Sequence, residues 1–233
     1  MQLALKSLAE LEATRTDQSL DVMLTIPPGK SLVLENISWA GFEQLLDQLG
    51  NSRAARVAYD HGTLEIMAPL PRHAFFKESV SILVQEFADI LNIDYEIFGS
   101  TTWKRQDLLS GLEPDNCFYI QNEPLIRGKI DLDLAQDPPP DLALEIDITS
   151  KSVNRMAIYA RLGVPEVWRY ENSQLSIFLL QGQQYIAAET SLTLPTFPVQ
   201  DIIAFIDTHH ADGKLAMRRA FRGWIKSNPV NEL

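Results

Sequence analysis

Pro140-Asp141-Leu142-Ala143-Leu144-Glu145-Ile146-Asp147-Ile148 is the stretch whose reading decides the fold. Alternate residues of a strand face opposite sides. One side then carries Leu142, Leu144, Ile146 and Ile148, and the other Asp141, Ala143, Glu145 and Asp147. Asp is depleted from strands, and crowded acids with no basic residue on their face disfavour one another's ionisation. Two readings follow. In one, the strand is half buried and its acidic face is wet. In the other, the acids serve a divalent cation, whose coordination by oxygen removes the repulsion. Same-face neighbours lie roughly 6.6 Å apart, and Asp141 and Glu145 roughly 13 Å. Those two do not grip one ion together, so Glu145 needs a partner acid from another strand.

The nearest source of a partner is Glu113-Pro114-Asp115. Asp115 opens a predicted strand over Cys117 to Gln121, after a turn at 111–116, and a loop over 122–139 leads to the acidic strand. If the two strands pair, Asp115 and Glu145 meet at one end of the sheet. Ordinary turn chemistry also accounts for Pro-Asp-Asn. On the other side, Thr149-Ser150-Lys151-Ser152 reads as a helix start, with the helix running to Leu162 and stopping at Gly163. Lys151 and Arg155, four apart, then share a helix face. Beside carboxylates, either could steady charge that builds on a phosphate. Solvated basic residues are the alternative.

Further out, residues 1–37 read as an amphipathic leader and loop, with a turn at Pro27-Pro28-Gly29 and a short strand at 31–35. Ser38 caps a helix from Trp39 to Leu49, closed by Gly50. Arg53 to Tyr59 and Thr63 to Met67 flank Asp60-His61-Gly62 as a hairpin. A long helix from about His73 to Leu91 gathers Phe76, Val80, Leu83, Val84, Phe87, Ile90 and Leu91 on one face, with Glu78, Gln85 and Asp89 opposite. His73 at its start reads as a cap or core residue. Extended segments follow at 95–99 and 101–105. Strands at 165–170, 175–180 and 184–188 and two tail helices split near Asp212-Gly213 complete the chain. The order predicts an α/β fold with a mixed central sheet flanked by helices, an N-terminal helix and hairpin, and a C-terminal helical extension.

The chain has 233 residues, 45% hydrophobic and 22% charged, which suits one globular domain or one domain with an appended lobe. No apolar run is long enough to span a bilayer, so no membrane partner is expected. A single cysteine, Cys117, allows no internal disulfide and points to a reducing, cytoplasmic setting. The net charge of −11 argues against broad, charge-driven nucleic-acid binding.

Several segments together resemble a known family. They are Gly62-Thr63-Leu64-Glu65-Ile66-Met67, Pro71-Arg72-His73, Pro140-Asp141-Leu142 with Glu145, Ser150, and the run from Tyr159 to Trp168. With Pro114-Asp115 they are similar to the Uma-two (Uma2) family of the PD-(D/E)XK nuclease-like superfamily. The resemblance covers about residues 39–194 and divides the chain into a leader (1–37), a nuclease-like core (38–194) and a C-terminal helical extension (195–233). It implies a restriction-endonuclease-like sheet and hydrolysis of DNA by an endonuclease. It also implies Mg²⁺ or Mn²⁺ held by Asp115 and Glu145, and a homodimer. The superfamily's lysine, two residues after the Glu, is here Asp147. The position to which the family moves it, four before Tyr159, is Arg155. Arg155 and Lys151 are therefore the basic candidates, with Asp141, Asp147, His73 and Glu65 behind them. A fold of this kind kept for binding without catalysis is the rival expectation. A carboxylate-pair glycosidase fits the acids but not the basic residues.

Overall fold

The computed structural model describes residues 2–6, 21–50, 55–99, 101–148 and 153–228. In chain order its strands and helices are β1 (Gln2–Lys6), β2 (Asp21–Thr25), β3 (Ser31–Leu34), α1 (Trp39–Leu49), β4 (Arg56–Asp60), β5 (Thr63–Met67) and α2 (Pro71–Leu91). Then come β6 (Glu96–Ile97), β7 (Trp103–Arg105), β8 (Ser110–Leu112), β9 (Asn116–Tyr119), α3 (Glu123–Ile126), β10 (Leu142–Ile146) and α4 (Arg155–Leu162). The last are β11 (Glu166–Glu171), β12 (Gln174–Gln181), β13 (Gln184–Ala188), α5 (Ile202–His209) and α6 (Lys214–Ser227).

The fold is mixed α/β, of the restriction-endonuclease-like kind. A six-stranded sheet runs β13-β12-β11-β10-β9-β6, and a five-stranded one runs β3-β5-β4-β8-β7. Among the described residues only β10 and β11 pair in parallel, Leu142 opposite Glu166 through Ile146 opposite Tyr170. A parallel pair needs a crossover, and α4 lies in that connection. Strand β9 pairs antiparallel on the other side of β10, with Asn116 opposite Leu144.

Burial on both sides of β10 replaces the half-wet strand expected from alternation. All residues from Asp141 to Ile146 are buried. Leu142, Leu144 and Ile146 join Phe76, Val80, Leu83, Val84 and Phe87 of α2 in one core, with Phe221 and Ile225 of α6. Ala143, on the opposite face, packs with Ile158, Tyr159 and Leu162 of α4. The acidic face is dry because α4 covers it, so its carboxylates need partners inside the protein.

The long helix has the predicted apolar face, except that Leu91 at its end is exposed. Glu86, on that helix, is fully buried and accepts hydrogen bonds from Arg218 and Arg222 of α6. The hairpin, the Ser38 cap (Gly41 N–H to Ser38 Oγ, 3.1 Å) and the Gly163 stop lie where the sequence puts them.

Other expectations are corrected. The mixed six-stranded sheet is accompanied by a second, five-stranded sheet that the sequence did not separate from it. The supposed leader contains β1 and β2, paired antiparallel. Gly111 and Leu112 belong to β8 rather than a turn. A Cβ at Gly111 would stand 2.9 Å from the Lys104 Cβ and 3.2 Å from the Phe42 ring, so close packing of α1 on the sheet requires glycine there. The loop over 122–139 contains α3. Helix α4 begins at Arg155, capped by Asn154, whose side chain accepts from Ala157 N–H. The proposed start at 149–152, Ser150 and Lys151 included, lies outside the described residues.

Candidate functional site

The site forms where β9, β10, α4 and the β4–β5 hairpin meet. The antiparallel register of β9 and β10, carried one residue beyond Asn116 and Leu144, sets Asp115 against Glu145. Asp115 Oδ2 accepts the Ile146 N–H at 2.8 Å, which ties the first acid to the backbone beside the second. Both are nearly fully buried, Asp115 at 4% exposure and Glu145 at 2%.

Glu145 shares the face of Ala143 and points at α4. There Arg155 Nε donates to one carboxylate oxygen at 3.0 Å and Nη2 to the other at 2.8 Å. Tyr159, one helical turn on, donates its hydroxyl to Glu145 Oε1. Arg155 Nη2 also donates to the Glu113 carbonyl. Burying an unpaired carboxylate costs several kcal/mol, and a bidentate guanidinium with added hydrogen bonds is the arrangement that offsets it. Burial works against the charge on Arg155, but Glu145, Tyr159 and Asp115 together hold the guanidinium above its ordinary range. Burial, then Glu145, push the Tyr159 phenol well up. Neither group gives up its proton near neutral pH.

The hairpin supplies the far wall. Val57 and Tyr59 face the core under α1, whereas Ala58 faces the core that contains α4. By alternation Arg56 shares the Ala58 side, and its Nε lies 3.9 Å from Asp115 Oδ1. Glu65, in register with Ala58, is buried on that same side. Glu113 binds the hairpin to the site: its Oε2 accepts Val57 N–H at 3.3 Å and its Oε1 the Thr102 hydroxyl at 2.7 Å. Helix α4 is tied to the same sheet, with Arg161 Nε donating to Ser110 Oγ at 2.8 Å.

A cleft of about 420 Å³ opens beside Glu145, lined among others by Asp147, Asn154, Arg155, Arg169 and Glu171. Arg169 stands in register with Glu145 across the parallel pair and bonds Asp147 and Glu171, each at 2.9 Å. Glu145 of the buried acid pair thus lines an open, charged cleft, with Asp115 behind it on β9.

A model of the Uma2 family, described as "Putative restriction endonuclease", matches residues 39–207. The chain belongs to the Uma2 family. That places it in the PD-(D/E)XK superfamily. No curated protein matches the chain.

In this Uma2 chain the expected residues separate into two groups. Asp115, Glu145 and Arg155 come together, and Asp147 lies on the adjoining cleft. Glu65 is buried on the Ala58 side of the hairpin. Asp141 is at the other end of β10, where its carboxylate takes Ile120 N–H (2.7 Å), Asn122 N–H (2.9 Å) and the Asn122 side chain (2.7 Å) and so pins a loop. His73 caps its own helix, its Nδ1 accepting Leu70 N–H at 2.9 Å. Lys151 lies outside the described residues. Sequence reasoning missed Arg56, Arg169, the Glu113 carbonyl and the Tyr159 hydroxyl. The four-residue spacing from Arg155 to Tyr159 was a usable signal. Nothing in the sequence shows which face of β4 meets β9.

Restriction-endonuclease-like families usually use divalent metals. Among the described residues no group of three or more His, Cys, Asp or Glu is placed to hold an ion. An all-oxygen pair still suits Mg²⁺, which takes one or two carboxylates and completes its shell with water and phosphate oxygens. No helix among the described residues is long and apolar enough to cross a membrane.

Proposed function

We propose that the protein is a Mg²⁺- or Mn²⁺-dependent endonuclease that hydrolyses phosphodiester bonds in DNA. The observation that carries this reading is the pair Asp115 and Glu145, brought together on adjacent strands beside a buried guanidinium, with Glu145 and Arg155 lining an open cleft. Asp115 and Glu145 are the ligands. A divalent cation held there lowers the pKa of a bound water and polarises the phosphate. Ile146 N–H fixes the Asp115 carboxylate and the Tyr159 hydroxyl that of Glu145, which Arg155 pairs in the structure. Arg155 stays charged and acts by position and field, not as a base. Tyr159, held protonated, is likewise no base. Arg169, paired with Asp147 and Glu171, is a further basic group of the same cleft. With a net charge of −11, DNA contact is confined to such local basic groups.

Plasmid DNA incubated with the protein and Mg²⁺ or Mn²⁺ tests the reading. Nicking or linearisation that disappears in Asp115→Ala and in Glu145→Ala supports it, and cleavage that survives Glu145→Ala rules it out. The family habit also makes a homodimer the expected assembly, which elution at the 26.3 kDa monomer mass would remove.

One feature favours a second reading, a nuclease fold kept for binding. The superfamily's lysine position holds Asp147, which is paired with Arg169, and the replacement, Arg155, is already engaged with Glu145. Retained binding to duplex DNA with no cleavage under any divalent cation selects that reading.

A further inference from the structure

We propose that Arg155 is the resident counter-ion of Glu145, and that a divalent cation must compete with it for that carboxylate. This rests on the reading that Asp115 and Glu145 hold the ion. In the structure the guanidinium takes both oxygens of Glu145, and Tyr159 adds a third donor to one of them. The carboxylate is thus neutralised from within the chain, and nearly all of its surface is buried. A dication seated between Asp115 and Glu145 places two positive charges within a few ångströms of a guanidinium that cannot deprotonate, and in so dry a site that repulsion is weakly screened. Glu145 cannot satisfy both partners at full strength.

The fold gives the displaced group a place to go. Arg155 already lines the open cleft, and its other described partner is one main-chain carbonyl, that of Glu113. Turning toward the cleft needs only side-chain torsions, because the helix start is held separately by the Asn154 cap. Lysine, a compact point charge, could not span both oxygens in this way. Arginine at the migrated position therefore sets the cation affinity of the site, in addition to any effect on the phosphate.

Calorimetric titration of Mn²⁺ into the full chain tests this. Arg155→Ala is expected to bind Mn²⁺ at least about tenfold more tightly than wild type, since it removes a full positive charge beside the ligand. Arg155→Lys keeps a charge but loses the two-pronged grip, and is expected to fall between. It also serves as the readout if circular dichroism shows that Arg155→Ala does not fold. Equal or weaker binding in the folded variants overturns the proposal. Were Mn²⁺ binding lost in Asp115→Ala yet unchanged by either Arg155 variant, the competition would be wrong and the metal site would stand. If neither wild type nor the Arg155 variants bind Mn²⁺, the metal-site reading falls and the competition falls with it.

Discussion

Arg155 and Glu145 form a two-pronged ion pair, 3.0 Å and 2.8 Å long, with side chains 8% and 3% exposed. Such a pair adds little net stability over an apolar equivalent, but removing one member strands a buried charge at a cost of about 3–5 kcal/mol. Glu145→Ala and Arg155→Ala should each destabilise the protein by that order. The double variant should cost clearly less than the sum. Urea denaturation of the four proteins checks this, and additive losses would mean that the pair is not coupled.

Asp141 and Glu145 share a strand face but differ in surroundings. Asp141 accepts three hydrogen bonds from a single loop. Asp141→Ala should lower stability by about 2–4 kcal/mol while Mn²⁺ affinity stays within about twofold of wild type, a change of under 0.5 kcal/mol. Combined denaturation and calorimetry separate a loop anchor from a ligand, and a lost metal signal in a folded Asp141→Ala would move Asp141 into the site.

Glu86 and its two arginines predict an asymmetry. The carboxylate is fully buried, whereas the Arg218 and Arg222 side chains are 46% and 50% exposed. After Glu86→Ala both arginines can hydrate, and the loss is the net value of the bonds, about 1–2 kcal/mol. Removing both arginines leaves the buried acid alone and should cost about 3–5 kcal/mol. Urea midpoints rank the two variants, and the reverse order would refute the assignment.

Cys117 predicts an alkaline signature. Burial raises its thiol from 9.0 to about 12, against a hydrogen bond from the Trp103 indole N–H that favours the thiolate. A folded pKa above the unfolded one contributes stability in full below pH 9, and that contribution is lost as pH rises from 9 toward 12. Stability should therefore fall by up to about 1.4 kcal/mol per pH unit in that window. Comparing urea midpoints of wild type and Cys117→Ala between pH 9 and 10 isolates the thiol, because the variant lacks this slope. The native thiol should also resist thiol reagents at pH 8 until the chain unfolds.

Much of this fold could be read directly because its signals are local. The Ser38 cap, the Gly62 hairpin, the apolar stripe of α2 and the Gly163 stop each lie within a few residues of their effect. What escaped depends on distant packing. Gly111 reads as a turn residue, yet it sits in a strand because it pairs with Tyr59 and Lys104 of distant strands, and crowding by Phe42 and Lys104 requires glycine there. The acidic face of β10 reads as wet, and only the placement of α4 makes it dry. At the site, Asp115 and Glu145 could be paired in advance because one register relates them. Arg56 arrives from another sheet, and no spacing rule connects it to β9.

Glu113 clasps the hairpin with its carboxylate and Arg155 with its carbonyl. A single peptide segment thus reports the position of one sheet to the guanidinium that guards the other. Through Glu113 the hairpin and the ion pair around Glu145 are joined by two hydrogen bonds.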